Sequence, residues 1–322
     1  MRTAIVSGGN GGLGYYCARA IAAASPQWHV IIASRDHAKS KEAERSIIAQ
    51  TGNSQVAAMD LDLGSPNSVR RFVADFAARG LPPIGAIVCN AGIQNVNGIT
   101  YNDDGYETTF AVNHLGHFLL VNLLLRHLDD RARIVVVSSG THNPDQFTGM
   151  PKPDYTDAAS AAKREAGANP GNAGRRAYTT SKLCNVMFTY ELSRRLKAEG
   201  HNGISVTAFD PGLMPGTGLA RDYGPFQKFL WNFVLPALRI LPGVNGTNKS
   251  GNDLARLALD PELEGVSGKY FVGRKSVPSS KDSYDERKAA ELWESSVSMV
   301  RLKPDETILL RERSAKEDGL DH

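Results

Sequence analysis

The feature that most constrains this chain is an alternation. Short runs of β-branched and apolar residues are separated by longer stretches with the period of an amphipathic helix. Thr3–Val6 is followed by helix-like Gly12–Ala24, His29–Ala33 by Lys39–Ala49, and Gln55–Met59 by Ser65–Ala78. The rhythm continues through Ile84–Cys89, a helical stretch around Tyr106–Leu125, Ile134–Val137, a second around Ala177–Lys197, then Ile204–Phe209 and Gly268–Val272. Runs such as Arg133–Ser138 are apolar without alternation, as expected of parallel strands covered by helices on both faces. The expected fold is therefore α/β, a doubly wound parallel sheet forming a single domain over residues 1–310. With 41% hydrophobic and 22% charged residues in 322, the chain has ample material for a core, which excludes disorder as its main state.

Charge and cysteine usage narrow the function classes. Lys+Arg 37 against Asp+Glu 34 leaves a net charge of +3, and the basic residues are scattered rather than gathered into a stripe that would track phosphates, so nucleic acid is not an expected partner. Cys17, Cys89 and Cys184 lie in apolar or helical stretches without the paired spacing of a disulfide framework or a zinc site. No metal site is expected, and a reducing cytoplasmic setting fits best. Met1–Gly8 lacks the pattern of an export signal, and no run of about 18 uncharged apolar residues suggests a transmembrane segment.

Two segments break the rhythm. Gly140–Arg176, rich in Pro, Gly, Asn and Ala, reads as a long insertion loop over residues 140–176 with a short helix at Asp157–Glu165. Within residues 213–245, Pro225–Pro242 is unusually apolar, and Phe226, Phe229 and Phe233 would share one side of a helix. Its only basic residues are Lys228 and Arg239, too few for stable attachment to anionic lipid, so it reads as a substrate lid, with peripheral membrane contact as the alternative. Residues 311–322 form a charged tail.

After the first strand comes Ser7-Gly8-Gly9-Asn10-Gly11-Gly12-Leu13-Gly14, a glycine-rich turn entering a helix. Glycines let the backbone approach a pyrophosphate, and the free N–H groups and positive end of the helix favour its charge; the same glycines would also suit a tight strand-to-helix turn with no ligand. The second strand ends Ala33-Ser34-Arg35-Asp36, where a doubly wound Rossmann domain meets the adenosine ribose. A carboxylate there would accept the 2′-hydroxyl of NAD, whereas the Arg35 guanidinium favours the 2′-phosphate of NADP. Asp36 competes for the ribose or else caps the next helix. Asp62-Leu63, after the third strand, would present a carboxylate to the adenine amino group, with Asp60 as its competitor.

The strongest chemical signal is Tyr178-Thr179-Thr180-Ser181-Lys182. Four residues apart on a helix, the phenol and the ammonium share a face, so the cation favours phenolate and brings the tyrosine toward working pH as a proton donor or acceptor. Alone, such a pair is more often a solvated helix face. Here the fifth strand ends in Ser138 and Ser139, the fourth in Asn90-Ala91-Gly92, and a helix carries Asn113-His114-Leu115-Gly116-His117, all at the carboxyl edge where such sheets bind ligands.

In combination these residues resemble the short-chain dehydrogenase/reductase family. SGGNGGLG at 7–14 is similar to its TGxxxGxG, with Ser7 in the place of Thr, and Asp62, NAG at 90–92, Asn113, Ser139, YTTSK at 178–182 and Pro211-Gly212 follow in the family's order over about residues 1–300. The resemblance implies that Tyr178 is the acid/base, that Lys182 lowers its pKa and holds the nicotinamide ribose, that Ser139 bonds the reacting oxygen, and that Asn113 supports a proton relay through water. It also implies that Gly8, Gly12 and Gly14 cradle the cofactor with Asn10 and Leu13, that Asn90 steadies the strand ends, and that the Pro211–Thr217 loop, with Gly212 and Thr217, meets the nicotinamide. SRD at 34–36, DLGSPNSVRRF at 62–72, NHLGHFLL at 113–120, SKLCN at 181–185 and TGLAR at 217–221 are most similar to the branch of retinol dehydrogenases and light-dependent protochlorophyllide reductases. Leu213 stands where the light-driven enzymes usually carry a cysteine, and Gly216 replaces the first of two threonines, which argues against photochemistry.

His114 and His117, three apart, have no third ligand at a metal spacing and read as a packed helix face. Cys184 reads as a small buried hydrophobe, and His142 as either a substrate contact or an exposed loop residue. The expected function is an NADP(H)-dependent oxidoreductase, NADP(H) favoured over NAD(H), acting on a carbonyl or secondary alcohol of a lipophilic small molecule as a monomer or homodimer. The rivals are a reductase of an activated C=C bond and a catalytically silent cofactor-binding regulator.

Overall fold

The computed structural model describes residues 1–212 and 246–310. Thr217, the Pro225–Pro242 segment read as a lid and the 311–322 tail lie outside the described residues. Among the described residues the parallel strands are β1 (Arg2–Ser7), β2 (Trp28–Ser34), β3 (Val56–Asp60), β4 (Ile84–Cys89), β5 (Leu128–Val137), β6 (Ser205–Asp210) and β7 (Lys269–Val272), and β8 (Lys275–Val277) turns back antiparallel on β7. The order β3-β2-β1-β4-β5-β6-β7-β8 reverses direction between β1 and β4, as a doubly wound sheet requires.

The central strands β1, β4 and β6 are buried on both faces because helices cover each. On one side lie α1 (Gly12–Ala24) and α2 (His37–Thr51), with Ile21 and Ile47 in a core that also takes Val6, Ile32 and Val135. On the other lie α3 (Pro66–Ala78) and a helical run of three parts, α4 (Thr108–Phe110), a π turn at Ala111–Leu115 and α5 (Gly116–Leu124). That run is apolar enough to cross a membrane by length and composition, but it is almost wholly buried, so its apolarity serves the core. Phe72, Phe118 and Leu119 pack there with Ile5, Ile87 and Val136. The short α6 (Ala158–Ala162) and the long α7 (Pro170–Ala198) follow; α8 (Thr247–Leu259) joins the first side, and α9 (Glu286–Met299) buries Trp293 against Phe118 and Phe188 of the second.

The fold is the expected one, with differences at the ends of elements. β5 begins six residues earlier than its apolar run: Leu128 pairs with Ile84 of β4, and after an irregularity in register Arg133 pairs with Ala86 of β4 and Ser205 of β6. Helix α7 begins at Pro170, so the last seven residues assigned to the 140–176 loop are helical. Asn169 accepts from the Asn172 N–H, and Pro170 sits at the first turn where its missing N–H is harmless. Gly171 and Gly174 concealed this start, since glycine disfavours helix interiors by about 1 kcal/mol. Packing explains the second of them: a Cβ on Gly174 would collide with the carbonyl oxygens of Asn95 and Gly98. Helices α8 and α9 and strand β8 lie outside the stretches that the alternation marks.

Gly174→Ala should therefore destabilise the protein by about 1–3 kcal/mol by overpacking, although alanine is the better helix former. Urea denaturation monitored by circular dichroism checks this; an unchanged midpoint would mean that the Asn95–Gly98 backbone yields without cost.

Candidate active site

Four strand ends meet where the sheet order reverses, and the polar groups there are tied together before any ligand is considered. The Ser7 Oγ accepts from the N–H groups of Asn90 (2.9 Å) and Ala91 (3.0 Å) and lies 2.8 Å from His117 Nε2. Because the His117 Nδ1 faces the Asn113 carbonyl (3.1 Å), Nδ1 carries the hydrogen and Nε2 accepts from the Ser7 hydroxyl. The Asn90 side-chain amide donates to the carbonyl of Ser7 at 2.8 Å. Thus β1 and β4 are locked together at the mouth of the crevice.

The glycine turn has the shape a pyrophosphate needs. Gly8 and Gly12 have φ of 64° and 53°, in the left-handed region, and a Cβ on Gly14 would collide with the carbonyl of Gly8. Above Gly11 and Gly12 the space is open, with nothing within 4 Å of a Cβ at either position, and Gly11, which precedes α1, offers no side-chain cap. Uncapped N–H groups at a helix N-terminus facing open space suit an anion, so these residues fit a dinucleotide. Asn10 is half-buried beside the turn, whereas the Leu13 side chain is core.

At the ends of β2 and β3 the polar side chains have different partners. The Ser34 hydroxyl is paired with Ser40 Oγ (2.6 Å). Asp36 accepts from the Lys39 N–H as the cap of α2, a bond that holds its carboxyl below the usual carboxylate range. Asp60 is bonded to His37 (2.7 Å). Arg35 is exposed at the end of β2, and Asp62 accepts from the Gly64 N–H (2.9 Å), while Leu63 is buried.

The catalytic candidates converge on β5. Ser138 donates to the Lys182 carbonyl (2.8 Å), leaving half-buried Ser139 as the outer hydroxyl; its Oγ accepts from the Thr141 N–H at 3.3 Å. Lys182 is 4% exposed, donates from Nζ to the Val137 carbonyl at 3.2 Å, and lies 5.5 Å from the centre of the buried Tyr178 ring. Burial pulls its pKa down to about 8, against the opposing pull of Asp210. Asn113 lies in the π turn, a helical irregularity common at functional sites. Its carboxamide donates to Ser181 Oγ and the Ile93 carbonyl and accepts from the Ile93 N–H. A Cβ on Gly92 would lie 3.3 Å from Asn113 Oδ1 and 3.6 Å from Lys182 Nζ, so those residues are adjacent. Gly212 follows Pro211 with φ of 75° and donates to Asp210 Oδ1 at 2.9 Å.

Residues 2–150 match the family model described as short chain dehydrogenase. The chain is 35% identical over 321 residues to protochlorophyllide reductase A, chloroplastic, of Oryza sativa subsp. japonica, covering 92% of this chain and 80% of that one. It belongs to the short-chain dehydrogenase/reductase family. Within it, the chain falls in the protochlorophyllide reductase-like branch and is an NAD(P)-dependent oxidoreductase. Among solved structures it is similar to a Mycobacterium paratuberculosis protein of uncharacterised function (TM-score 0.66, 28% identity, 97% and 96% of the two chains). It also shares its fold with a Burkholderia cenocepacia short chain dehydrogenase solved with NADP (TM-score 0.62, 22% identity, 84% and 95%).

The histidines of this dehydrogenase/reductase are structural in place. His114 packs among Phe110, Phe118 and Phe188 and pairs through Nε2 with Ser296 Oγ. His142 is neither exposed nor aimed outward: it is 1% exposed, its Nδ1 bonds the Ser139 carbonyl (2.7 Å), and its Nε2 accepts from the Ser280 N–H. Burial pushes the Cys184 thiol up, as for an inert core residue. Asp210 and Tyr270 were missed, since a carboxylate before Pro-Gly and a tyrosine in a late strand carry no signal until the strands are adjacent.

Burial draws His114 down to about 3 and His117 to about 4, so both fold in the neutral form. Below the ordinary value of about 6.5 the unfolded chain binds protons that the native chain refuses, so stability falls with pH by about 1.4 kcal/mol per unit per histidine. Denaturation midpoints measured from pH about 6.5 down to about 4 should decline, and His117→Gln, which keeps a donor and an acceptor, should flatten the decline.

Proposed function

We propose that this enzyme transfers a hydride between NADP(H) and the carbonyl or secondary-alcohol carbon of a bulky apolar small molecule, with Tyr178 moving the proton. The observation that carries the reading is the buried Lys182 ammonium beside the Tyr178 ring at the serine-ended edge of β5. Bound NADPH supplies the hydride from its nicotinamide. Tyr178 delivers its phenolic proton to the substrate oxygen, and the adjacent cation offsets the phenolate that remains. Ser139 donates a hydrogen bond to the same oxygen, which fixes the carbonyl for attack. Asn113 holds the Gly92 turn against α7 through Ile93 and Ser181, which keeps Lys182 in register for the ribose.

The 2′-phosphate reading rests on Arg35, exposed at the end of β2 while the neighbouring Asp36 carboxylate is committed to its helix cap. Asp62 is the carboxylate left for the adenine, since Asp60 is held by His37. A second reading, reduction of an activated C=C bond, is favoured by the relatives: the rice protein named above and another in Chlamydomonas reinhardtii (33% identity) are protochlorophyllide reductases. Leu213 argues against a light-driven form of it. Incubating the protein with NADPH and a panel of lipophilic aldehydes, ketones and enones, and following loss of nicotinamide absorbance, separates the two readings.

Tyr178→Phe should lower carbonyl reduction by at least ~10²-fold while NADPH still binds, as fluorescence titration would show. Near-normal turnover of a ketone would remove Tyr178 from the acid role. Arg35→Ala should erase a preference of about tenfold for NADPH over NADH, read by calorimetry with both cofactors. Equal affinities in the unmodified protein would assign the ribose to Asp36.

A further inference from the structure

Asp210 ends β6 immediately before Pro211 and is 6% exposed, yet neither proton transfer nor cofactor binding as described above uses it. Both of its oxygens are occupied. The Gly212 N–H donates to Oδ1 at 2.9 Å and the Tyr270 hydroxyl to Oδ2 at 3.0 Å. Oδ2 also abuts the turn after Ser139, where a Cβ on Gly140 would lie 3.2 Å away. Asp210 follows Phe209, the register partner of Val137, and Lys182 Nζ is bonded to the Val137 carbonyl. A buried carboxylate and a buried ammonium therefore stand at the ends of adjacent strands. Each would be costly to bury without a compensating charge or hydrogen bonds.

We propose that Asp210 is the buried counter-ion that keeps Lys182 charged beneath the cofactor. The proposal rests on Lys182 being the cofactor-contacting ammonium of the function proposed above. The electrostatics agree in sign: burial pulls the Lys182 ammonium down toward about 8, and Asp210 pulls it back up. The other groups around the pair come from several elements. On α7 Tyr178 faces Lys182, and His117 of α5, held neutral, feels the lysine's charge. His142 lies tilted against Tyr270, ring centres 4.8 Å apart, and stays neutral, its nitrogens engaged by Ser139 and Ser280. The Tyr270 phenol is pushed up by burial and by Asp210, so it remains a donor at working pH. From α8, Asp253 reaches to 3.7 Å of a Cβ on Gly273, whose N–H donates to the Asp210 main chain, but that carboxylate is paired with Lys249 at 3.0 Å.

The test uses NADPH affinity, read by nicotinamide fluorescence between pH about 6.5 and about 9.5, alongside the rate profile. Asp210→Asn keeps the Gly212 bond through its amide oxygen and can donate from its NH2 to the Tyr270 oxygen, reversing the direction of that bond, while it removes the charge. Without that charge Lys182 loses its proton more readily. The alkaline fall in affinity should thus begin about one pH unit lower than in the unmodified protein, with binding at pH about 6.5 intact. Tyr270→Phe keeps the carboxylate and should leave that midpoint in place. Superimposable profiles for Asp210→Asn and the unmodified protein would overturn the proposal, as would an equal shift in Tyr270→Phe, the mark of a merely structural role. If Asp210→Asn does not fold, Asp210→Ser carries the same expectation. Binding with no carbonyl turnover would sink the substrate reading and leave this one standing; no NADPH binding at all would overturn both.

Discussion

The constraint on which the rest depends is the reversal of strand order between β1 and β4. Two neighbouring parallel strands whose connections leave in opposite directions cannot have their carboxyl ends covered by the same loop, so a crevice opens there. A crevice between strand ends exposes main-chain groups that must find partners. The Ser7 hydroxyl meets the need: it takes two N–H groups from the β4 turn and gives its own hydrogen to His117. The glycine turn, the Asn90 amide and the π turn that carries Asn113 are all anchored to that knot.

The second requirement is a cation inside the protein. Lys182 is held between the end of β5 and the Gly92 turn, and it is paid for by a carbonyl, by Asp210, and by the elements that keep those groups still. Asn185 supports the same Val137 carbonyl from one turn along the helix, and Ser138 clasps the Lys182 main chain. Helix α7 can place the ammonium so deeply because its flanks are packed with Leu183, Met187 and Phe188 against α9. Reactive groups on a rigid buried helix keep their geometry without help from the ligand.

The same packing settles residues whose chemistry is ambiguous in isolation. A histidine three residues from the outer serine looks like a substrate contact until Ser280, 138 positions away, is seen donating to its second nitrogen. His117 looks like half of a metal site until its two nitrogens are assigned to Ser7 and Asn113. Asp36 and Asp60 compete with Arg35 and Asp62 on paper, and in the fold each of the two carboxylates already has a local partner, the Lys39 N–H and His37.

The sequence by itself determined the layered sheet, the glycine turn, and the order of Asn113, Ser139, Tyr178 and Lys182. Those signals are local: periodicity records which faces are buried, and a four-residue spacing fixes a helix face whatever surrounds it. Three things only the tertiary structure decided. The start of α7 at Pro170 depends on the Asn95–Gly98 backbone, which makes a glycine necessary where propensity argues against helix. The neutrality of the histidines depends on burial among residues far away in the chain. The Asp210–Tyr270 bond spans 60 positions, and no local pattern encodes a pair whose members become neighbours only when β6 and β7 align.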